Sequence, residues 1–169
     1  MLKRLAAGSL LLFGCAIVAQ TPPLPAVDVT GAQVQAFLKA LPANEVSDLP
    51  IRTADVGGYH VAVYGVNRPK SVPHQEANLH KTKVSEIYYI LKGGGTLVTG
   101  GKMQDLHPLK PGDQRNMQGA RIVGGVTRHV TVGDITIIPG YTPHQWTTQD
   151  GDLQYLIFRP DPEGRIPLK

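Results

Sequence analysis

Three residues with metal-binding side chains lie at the ends of apolar segments. Glu86 opens the apolar segment 86–91 and follows His80 closely, and His144 follows the apolar segment 135–138 after a Pro-Gly turn. Two imidazoles and one carboxylate can hold non-haem Fe(II) with open coordination positions, or Zn²⁺ as a His₂Glu set. The three residues therefore predict a divalent transition-metal site, provided that separate strands bring them together.

Strand alternation predicts which side chains accompany the three candidate ligands. Residues two apart on a strand share a face. A buried Glu86 is costly unless a cation or hydrogen-bond donors compensate its charge. A metal is one solution, and an ion pair with Lys83 or Arg128 is the structural alternative. If the strand extends back to His80, the shared faces are His80, Thr82, Val84, Glu86, Tyr88 and Ile90 on one segment, and His144, Trp146 and Thr148 on the other.

The elements that must position these residues are short strands. The chain has 169 residues, with 19 Gly and 14 Pro, which favours one domain with many tight turns. A capping box at Thr30 and Gln33 predicts one short helix that ends before Pro42 and covers a sheet. Segments 86–91 and 96–99 are predicted to form a hairpin. The other predicted strands are 51–56, 59–66, 128–132, 135–138, 144–148 and 153–158, as in a β-sandwich or barrel.

The segment around Glu86 resembles the first sequence motif of the cupin superfamily. That motif reads His-x-His, three or four residues, Glu, six residues, Gly. His80, Glu86 and Gly93 match it, and Thr82 stands where the second histidine is expected. The resemblance spans about residues 72–158. It implies an all-β fold, a double-stranded β-helix (cupin/jelly-roll) barrel with one short N-terminal helix.

The segment before His144 resembles the second cupin motif, which reads Gly, five residues, Pro-x-Gly-x-x-His. Gly133, Pro139 and His144 match this motif, whereas Gly140 comes one position early and Tyr141 stands in place of the motif's glycine. Together the two motifs imply a metal site made of His80, Glu86 and His144.

The resemblance also implies a ligand pocket beside the metal. Cupin sites usually hold metal with three histidines and a glutamate, so here Thr82 offers a hydroxyl group or room for a water. His74 or Glu76 could reach the site from the preceding loop. The ligand set does not determine the metal, which we expect to be Fe, Mn, Zn or Ni. The pocket candidates are Thr82, Tyr88, Trp146, Tyr155 and His74.

Three hypotheses for the function follow. The first is an exported single-domain cupin metalloenzyme that acts on a small molecule, with oxygenase, isomerase and lyase chemistry all open. The second is a non-catalytic cupin module that binds a small ligand or a metal. The third is a scaffold for a homodimer formed through the apolar strand face of Ile87, Tyr89 and Leu91. The segment 101–127 is either a lid over the barrel or a surface connection.

Several other function classes find no support in the sequence. No serine lies in a Gly-x-Ser-x-Gly motif, and no glycine-rich turn ends in Gly-Lys-Ser/Thr. Without Lys3 and Arg4, the 17 basic residues fall to 15 against 13 acidic ones, a net charge near +2. No segment concentrates basic and aromatic residues, so we expect no nucleic-acid partner.

The N-terminus has the pattern of an export signal. Lys3 and Arg4 precede the apolar run 5–18, which is shorter than the roughly 20 residues of a membrane span. Cleavage after Ala19 predicts a periplasmic or secreted protein without a transmembrane span in the mature chain. Lipid attachment at Cys15, the only cysteine, is the alternative. The predicted divisions are a signal peptide at 1–19, a Pro-rich spacer and short helix at 20–50, the barrel at 51–160 and an irregular tail at 161–169.

Overall fold

The structure is a computed structural model that describes residues 23–72 and 75–169. The predicted signal peptide 1–19, the alternative lipid site at Cys15 and the pocket candidate His74 lie outside the described residues. Within them, no helix has the length and hydrophobicity that a membrane span requires.

The described part of the chain forms one helix and 13 strands. The helix α1 spans Gly31–Ala40. The strands are β1 Ser47–Asp55, β2 His60–Arg68, β3 Ala77–His80, β4 Glu86–Lys92, β5 Gly94–Thr99, β6 Lys102–Gln104, β7 His107–Pro108, β8 Asn116–Gly119, β9 Arg121–Val123, β10 Val126–Thr131, β11 Ile135–Ile138, β12 His144–Gln149 and β13 Leu153–Asp161.

The single helix begins at the predicted capping box and packs on a sheet. The Thr30 hydroxyl accepts a hydrogen bond from the Gln33 amide at 3.2 Å, and the Gln33 side chain accepts one from the Thr30 amide at 2.8 Å. Phe37 and Leu38 lie against Gly65 of β2, where a Cβ would come within 2.8 Å of the Phe37 ring. The prediction that this helix covers a sheet is confirmed.

Two antiparallel sheets form the body of the protein. The first has the strand order β1-β2-β13-β4-β11, and the second has the order β10-β5-β12-β3-β8-β7. From β3 onward the chain repeatedly crosses between the sheets, since β4, β11 and β13 belong to the first, and β3, β5, β10 and β12 to the second. Strands β6 and β9 form a separate ribbon. This arrangement confirms the predicted all-β, double-stranded β-helix fold.

Two predictions about strand connections are wrong. Strands β4 and β5 do not form a hairpin, because β4 pairs with β11 and β13, whereas β5 pairs with β10 and β12. Gly93, with φ 75°, turns the chain from one sheet to the other. The strand of Glu86 also does not extend back to His80: β3 ends at His80 and β4 begins at Glu86, in opposite sheets.

Other predicted bounds differ by a few residues. The first strand begins at Ser47 instead of 51, and the last extends to Asp161 instead of 158. Thr148 does not share the buried face of Trp146, because the pairing of β12 with β5 shifts register between them and leaves Thr148 exposed.

The hydrophobic core fills the space between the two sheets. Its aromatic members, Tyr88, Trp146 and Tyr155, lie on β4, β12 and β13 and are buried. The aliphatic members around them are Val66, Ile90, Leu97, Val130, Ile138, Leu153 and Ile157.

Candidate metal centre

His80, Glu86 and His144 converge between the two sheets. One ligand atom from each residue lies within 4.8 Å of the other two. The Nε2 atom of His80 lies 3.8 Å from Glu86 Oε1, and the Nε2 atom of His144 lies 3.4 Å from Glu86 Oε2. His80 ends β3 and His144 begins the neighbouring β12, while Glu86 begins β4 in the facing sheet. Residues 81–85 link the two sheets and so bring the carboxylate opposite the imidazoles.

The hydrogen bonds of His80 direct its Nε2 lone pair toward Glu86. The Nδ1 atom of His80 lies 2.9 Å from Asn116 Oδ1, and the Asn116 side-chain amide donates to Asp113 at 2.9 Å. Because that donation fixes which end of the amide faces His80, Nδ1 must carry the proton and donate it. In the neutral imidazole the lone pair then lies on Nε2, the atom that faces Glu86 and can bind a cation.

Asp113 is held in its charged form by the same turn. Its carboxylate accepts hydrogen bonds from the backbone and side chain of Asn116 and from the backbone of Arg115, and these lower the pKa of Asp113 to about 2. The turn therefore places a charged carboxylate behind the amide that orients His80, an arrangement common around metal-binding histidines.

His144 has the same tautomer as His80 for a simpler reason. Its Nδ1 atom lies 3.1 Å from the carbonyl oxygen of Thr142. A carbonyl can only accept, so Nδ1 carries the proton and Nε2 offers its lone pair to the site. Burial lowers the pKa of His144, although the charge of Glu86 opposes the shift. The imidazole is therefore neutral at pH 7, as metal binding requires.

Glu86 is buried, with 4% of its surface exposed, and ionised. Burial opposes its ionisation, but the charge of Arg159 outweighs this, with smaller electrostatic contributions from His144 and His80, and lowers the pKa of Glu86 to about 2. Oε1 accepts from Arg159 Nε at 2.8 Å and lies 2.7 Å from Arg159 Nη2, and Oε2 accepts from the Tyr88 hydroxyl at 3.0 Å. A carboxylate has about four acceptor positions, so one position remains on Oε2, the oxygen nearest His144.

Arg159 is a site residue that the sequence pattern did not predict. Its Nη2 atom also lies 2.6 Å from Asp48, and its guanidinium lies 4.0 Å from the centre of the Tyr64 ring. The ion-pair alternative named Lys83 or Arg128, but among the described residues the basic partner of Glu86 is Arg159. The sequence contained a signal for it, because Tyr155, Ile157 and Arg159 alternate on one face of β13. The predicted strand, 153–158, ended one residue before Arg159.

The aromatic pocket candidates form one wall of an interior cavity. The ring centres of Tyr88 and Tyr155 are 4.8 Å apart, and the Trp146 indole donates to the Tyr155 hydroxyl at 3.3 Å. All three line a cavity of about 190 Å³ that also contacts His80, Glu86 and His144. These residues are core and cavity wall at the same time.

Thr82 lines a second cavity, which is more open to solvent. This outer cavity, of about 270 Å³, shares His80 and Glu86 with the interior one. Arg115 and Asn116, from the segment 101–127, lie in its wall. Strands β7 and β8 of that segment extend the second sheet beside β3. The segment therefore contributes to the site.

The turn before His144 is close to the end of β3. Tyr141 has φ 61°, in the left-handed region, and its backbone amide donates to the His80 carbonyl at 3.2 Å. Tyr141 occupies the position of the second motif's glycine, which favours this conformation. At Gly140 a Cβ would overlap the carbonyl oxygen of Thr82. The turn thus joins the segments of His80 and His144 through backbone contacts.

Comparison with known proteins gives structural likenesses only. No protein-family model and no curated protein matches the chain. BH2720 from Bacillus halodurans is 15% identical, with a TM-score of 0.50 over 85% of this chain and 86% of that one. An uncharacterized conserved protein with a double-stranded β-helix domain from Klebsiella pneumoniae is 14% identical, with a TM-score of 0.47 over 80% and 92% of the two chains.

A further likeness is to hydroquinone 1,2-dioxygenase from Sphingomonas sp. TTNP3, which is 8% identical, with a TM-score of 0.49 over 86% and 85% of the two chains. The order of the strands decides the fold. Within the two sheets, the consecutive strands β2-β13-β4-β11 and β10-β5-β12-β3 form the two facing four-stranded sheets of a jelly roll. The chain has the cupin fold. Within this cupin fold, the three predicted ligands meet between the sheets.

Proposed function

We propose that this cupin binds a divalent transition metal through His80, Glu86 and His144 and acts on a small molecule. One observation carries the proposal: two imidazoles, each with Nδ1 hydrogen-bonded to an oxygen, and an ionised carboxylate bring one ligand atom each within 4.8 Å of one another. A bound divalent metal supplies a Lewis acid at that point. Fe, Mn, Zn and Ni all suit such a ligand set.

The cavities support a small-molecule ligand. The interior cavity, of about 190 Å³, and the outer one, of about 270 Å³, both reach His80 and Glu86. A ligand in either space would lie beside the proposed metal. Oxygenase, isomerase and lyase reactions are all compatible with this arrangement, because a fold does not select a reaction.

A non-catalytic binding module is the second candidate, and Arg159 favours it. The guanidinium already compensates the charge of Glu86 at 2.7 Å, so the buried carboxylate does not require a metal. In addition, Thr82 supplies no imidazole. On this alternative the site is a structural ion pair beside a ligand cavity.

Metal analysis separates the proposed metal site from a binding module without metal. Protein purified without a histidine tag is analysed by inductively coupled plasma mass spectrometry, beside His144→Ala and the control His129→Ala. His129 is an exposed histidine that pairs with Asp150 and lies outside the cluster. We expect stoichiometric metal in the wild type and the control, and its loss in His144→Ala. A folded wild type that stays metal-free after incubation with each of the four metals supports the binding module instead.

We also propose that the protein is exported, from the pattern of Lys3, Arg4 and the apolar run 5–18. Intact mass analysis of the protein from a fractionated cell tests this. A mature chain that begins at Gln20 supports cleavage after Ala19, and an acylated N-terminal Cys15 supports the lipid anchor. A full-length chain in the cytoplasm contradicts both.

A further inference from the structure

Arg68 is a buried cation in the interior of the barrel. Only 7% of its surface is exposed. It ends β2, two residues after the core residue Val66 and on the same strand face. Its Nη2 atom donates to the side-chain oxygen of Gln75 at 3.1 Å, whereas its Nε atom is buried without a hydrogen-bond partner among the described residues.

No Asp or Glu residue forms an ion pair with Arg68. All 13 Asp and Glu residues lie within the described ranges, and none of their ion pairs includes Arg68. Arg159, which is also largely buried, pairs with two carboxylates. A buried charge without a counter-charge is costly, so the surroundings of Arg68 are suited to an anion from outside the chain.

Arg68 lines the interior cavity of about 190 Å³, whose wall also includes Asp48 and Glu86. Arg68 lies opposite Leu153 on β13, whereas Ile87, next to Glu86, lies opposite Phe158. The two positions are five residues apart along β13, which corresponds to about 17 Å between backbone positions. The long arginine side chain shortens this separation. A ligand held at Arg68 would therefore extend along the wall of Tyr155 and Trp146 in the direction of the three ligands.

We propose that the interior cavity binds a small organic carboxylate and that Arg68 holds its carboxylate group. The planar guanidinium matches a carboxylate in shape and carries only hydrogen-bond donors. The identification of this carboxylate as the substrate rests on the proposed function. The binding itself needs no metal, because Arg68 is not one of the proposed metal ligands.

Trp146 allows the binding to be measured directly. It is the only tryptophan in the chain and lines the same cavity. Its fluorescence is followed during titration with isobutyrate and with isobutyramide, which has the same branched shape without the charge. We expect a saturable change with isobutyrate and affinity at least about tenfold lower for isobutyramide, the effect of losing a hydrogen bond to a charged group. No saturable response to isobutyrate, or equal affinities for the two, overturns the proposal.

Two arginine variants locate the site. Arg68→Gln removes the interior cation, and the control Arg115→Gln removes a cation from the wall of the outer cavity. We expect Arg68→Gln to bind isobutyrate at least about tenfold more weakly and Arg115→Gln to bind it like the wild type. Wild-type affinity in Arg68→Gln overturns the proposal, and so does a selective loss in Arg115→Gln, which would place the anion in the outer cavity.

If Arg68→Gln does not fold, nuclear magnetic resonance of the wild type tests the proposal instead. The assigned ¹⁵Nε–H resonance of Arg68 should shift with isobutyrate and stay in place with isobutyramide. An unchanged resonance at saturating isobutyrate overturns the proposal.

Each titration is repeated on metal-stripped and metal-loaded protein. If the protein binds isobutyrate but takes up no metal, the carboxylate site is supported and the proposed metal site is contradicted. If the protein binds metal but not isobutyrate, the metal site is supported and the carboxylate site is contradicted. The two failures are thus distinguishable.

Discussion

Glu86 has a cationic partner of its own, and this affects both stability and metal binding. Arg159 donates to Oε1, while Oε2 is the oxygen nearest His144. The two oxygens can therefore serve different partners at once, the guanidinium on one and a cation on the other. On this view Arg159 stabilises the metal-free state of the protein.

Removing Arg159 should destabilise the metal-free protein. Arg159→Met leaves Glu86 buried without its counter-charge, which costs about 3–5 kcal/mol in buried ion pairs. We expect a loss of this size in denaturant unfolding, and partial recovery when Zn²⁺ is added. The control Arg128→Met removes an exposed arginine of β10 and should change the free energy of unfolding by less than about 0.5 kcal/mol. Equal effects of the two substitutions would show that the pair with Glu86 contributes little.

Thr82 is the position at which the first motif lacks its second histidine. Its side chain lies in the wall of the outer cavity, which also contains His80 and Glu86. Thr82→His adds an imidazole there, and we expect Zn²⁺ affinity to rise by about tenfold or more, measured by competition with a chelator. Thr127→His adds the same group at an exposed position on β10 and should have no effect. Unchanged affinity in Thr82→His would place residue 82 outside the coordination sphere.

At the scale of elements, the turn 139–143 and the end of β3 are packed backbone to backbone. A Cβ at Gly140 would overlap the Thr82 carbonyl, so Gly140→Ala must move the two segments apart. We expect a loss of about 1–3 kcal/mol in the free energy of unfolding, together with weaker metal binding. In the control Gly151→Ala the added methyl group meets no atom within 4 Å, and thermal unfolding should be nearly unchanged. Unchanged metal affinity in Gly140→Ala would show that this turn does not position the proposed metal ligands.

The turn before β8 gives the protein a pH-dependent element. The pKa of Asp113 is about 2 in the folded protein, below the value near 3.9 of an unfolded chain. Its contribution to stability is therefore present above about pH 4 and is lost as the pH falls toward 2. We expect Asp113→Asn to be less stable than the wild type at pH 6 and equally stable near pH 2, by urea unfolding. Asp28→Asn, at an exposed position before α1, controls for net charge. A stability difference that persists unchanged to pH 2 would contradict this role.

The sequence predicted that the three candidate ligands converge, but it predicted the connections between them less well. His80, Glu86 and His144 could be identified because motif spacing and burial of a charged residue are local properties. The paths between them were wrong, since alternation cannot show whether a glycine turn folds a strand back onto its neighbour or sends it to the opposite sheet. Arg159 was missed for a related reason: its contact with Glu86 depends on the pairing of β13 with β4, which separate segments of the chain determine together.

At the scale of the whole molecule, an apolar surface remains at one sheet edge. On the strand face of Ile87, Tyr89 and Leu91, Tyr89 is exposed, and Ile87 and Leu91 are half-buried. The neighbouring edge strand β11 adds Ile135, 63% exposed, and Ile137, 68% exposed. An apolar edge strand is available for pairing, and we propose that two copies of the chain associate here.

Light scattering after size-exclusion chromatography tests this association. We expect the molar mass of two chains for the wild type and of one chain for Ile137→Lys, because a buried, unpaired charge opposes contact. The control Val126→Lys places the same charge on β10, at the edge of the other sheet, where Val126 is also exposed. A wild type with the mass of one chain would contradict the proposed homodimer.

The crossing of the chain between the sheets also determines when a metal can enter. His80, Glu86 and His144 begin or end strands whose partners come from distant parts of the sequence, and such long-range pairings form late in folding. A nascent or unfolded chain therefore holds the three ligands far apart and has no means of selecting an ion. Loading of the proposed metal would therefore follow folding, and the metal would be drawn from the ions present where the chain reaches its final structure.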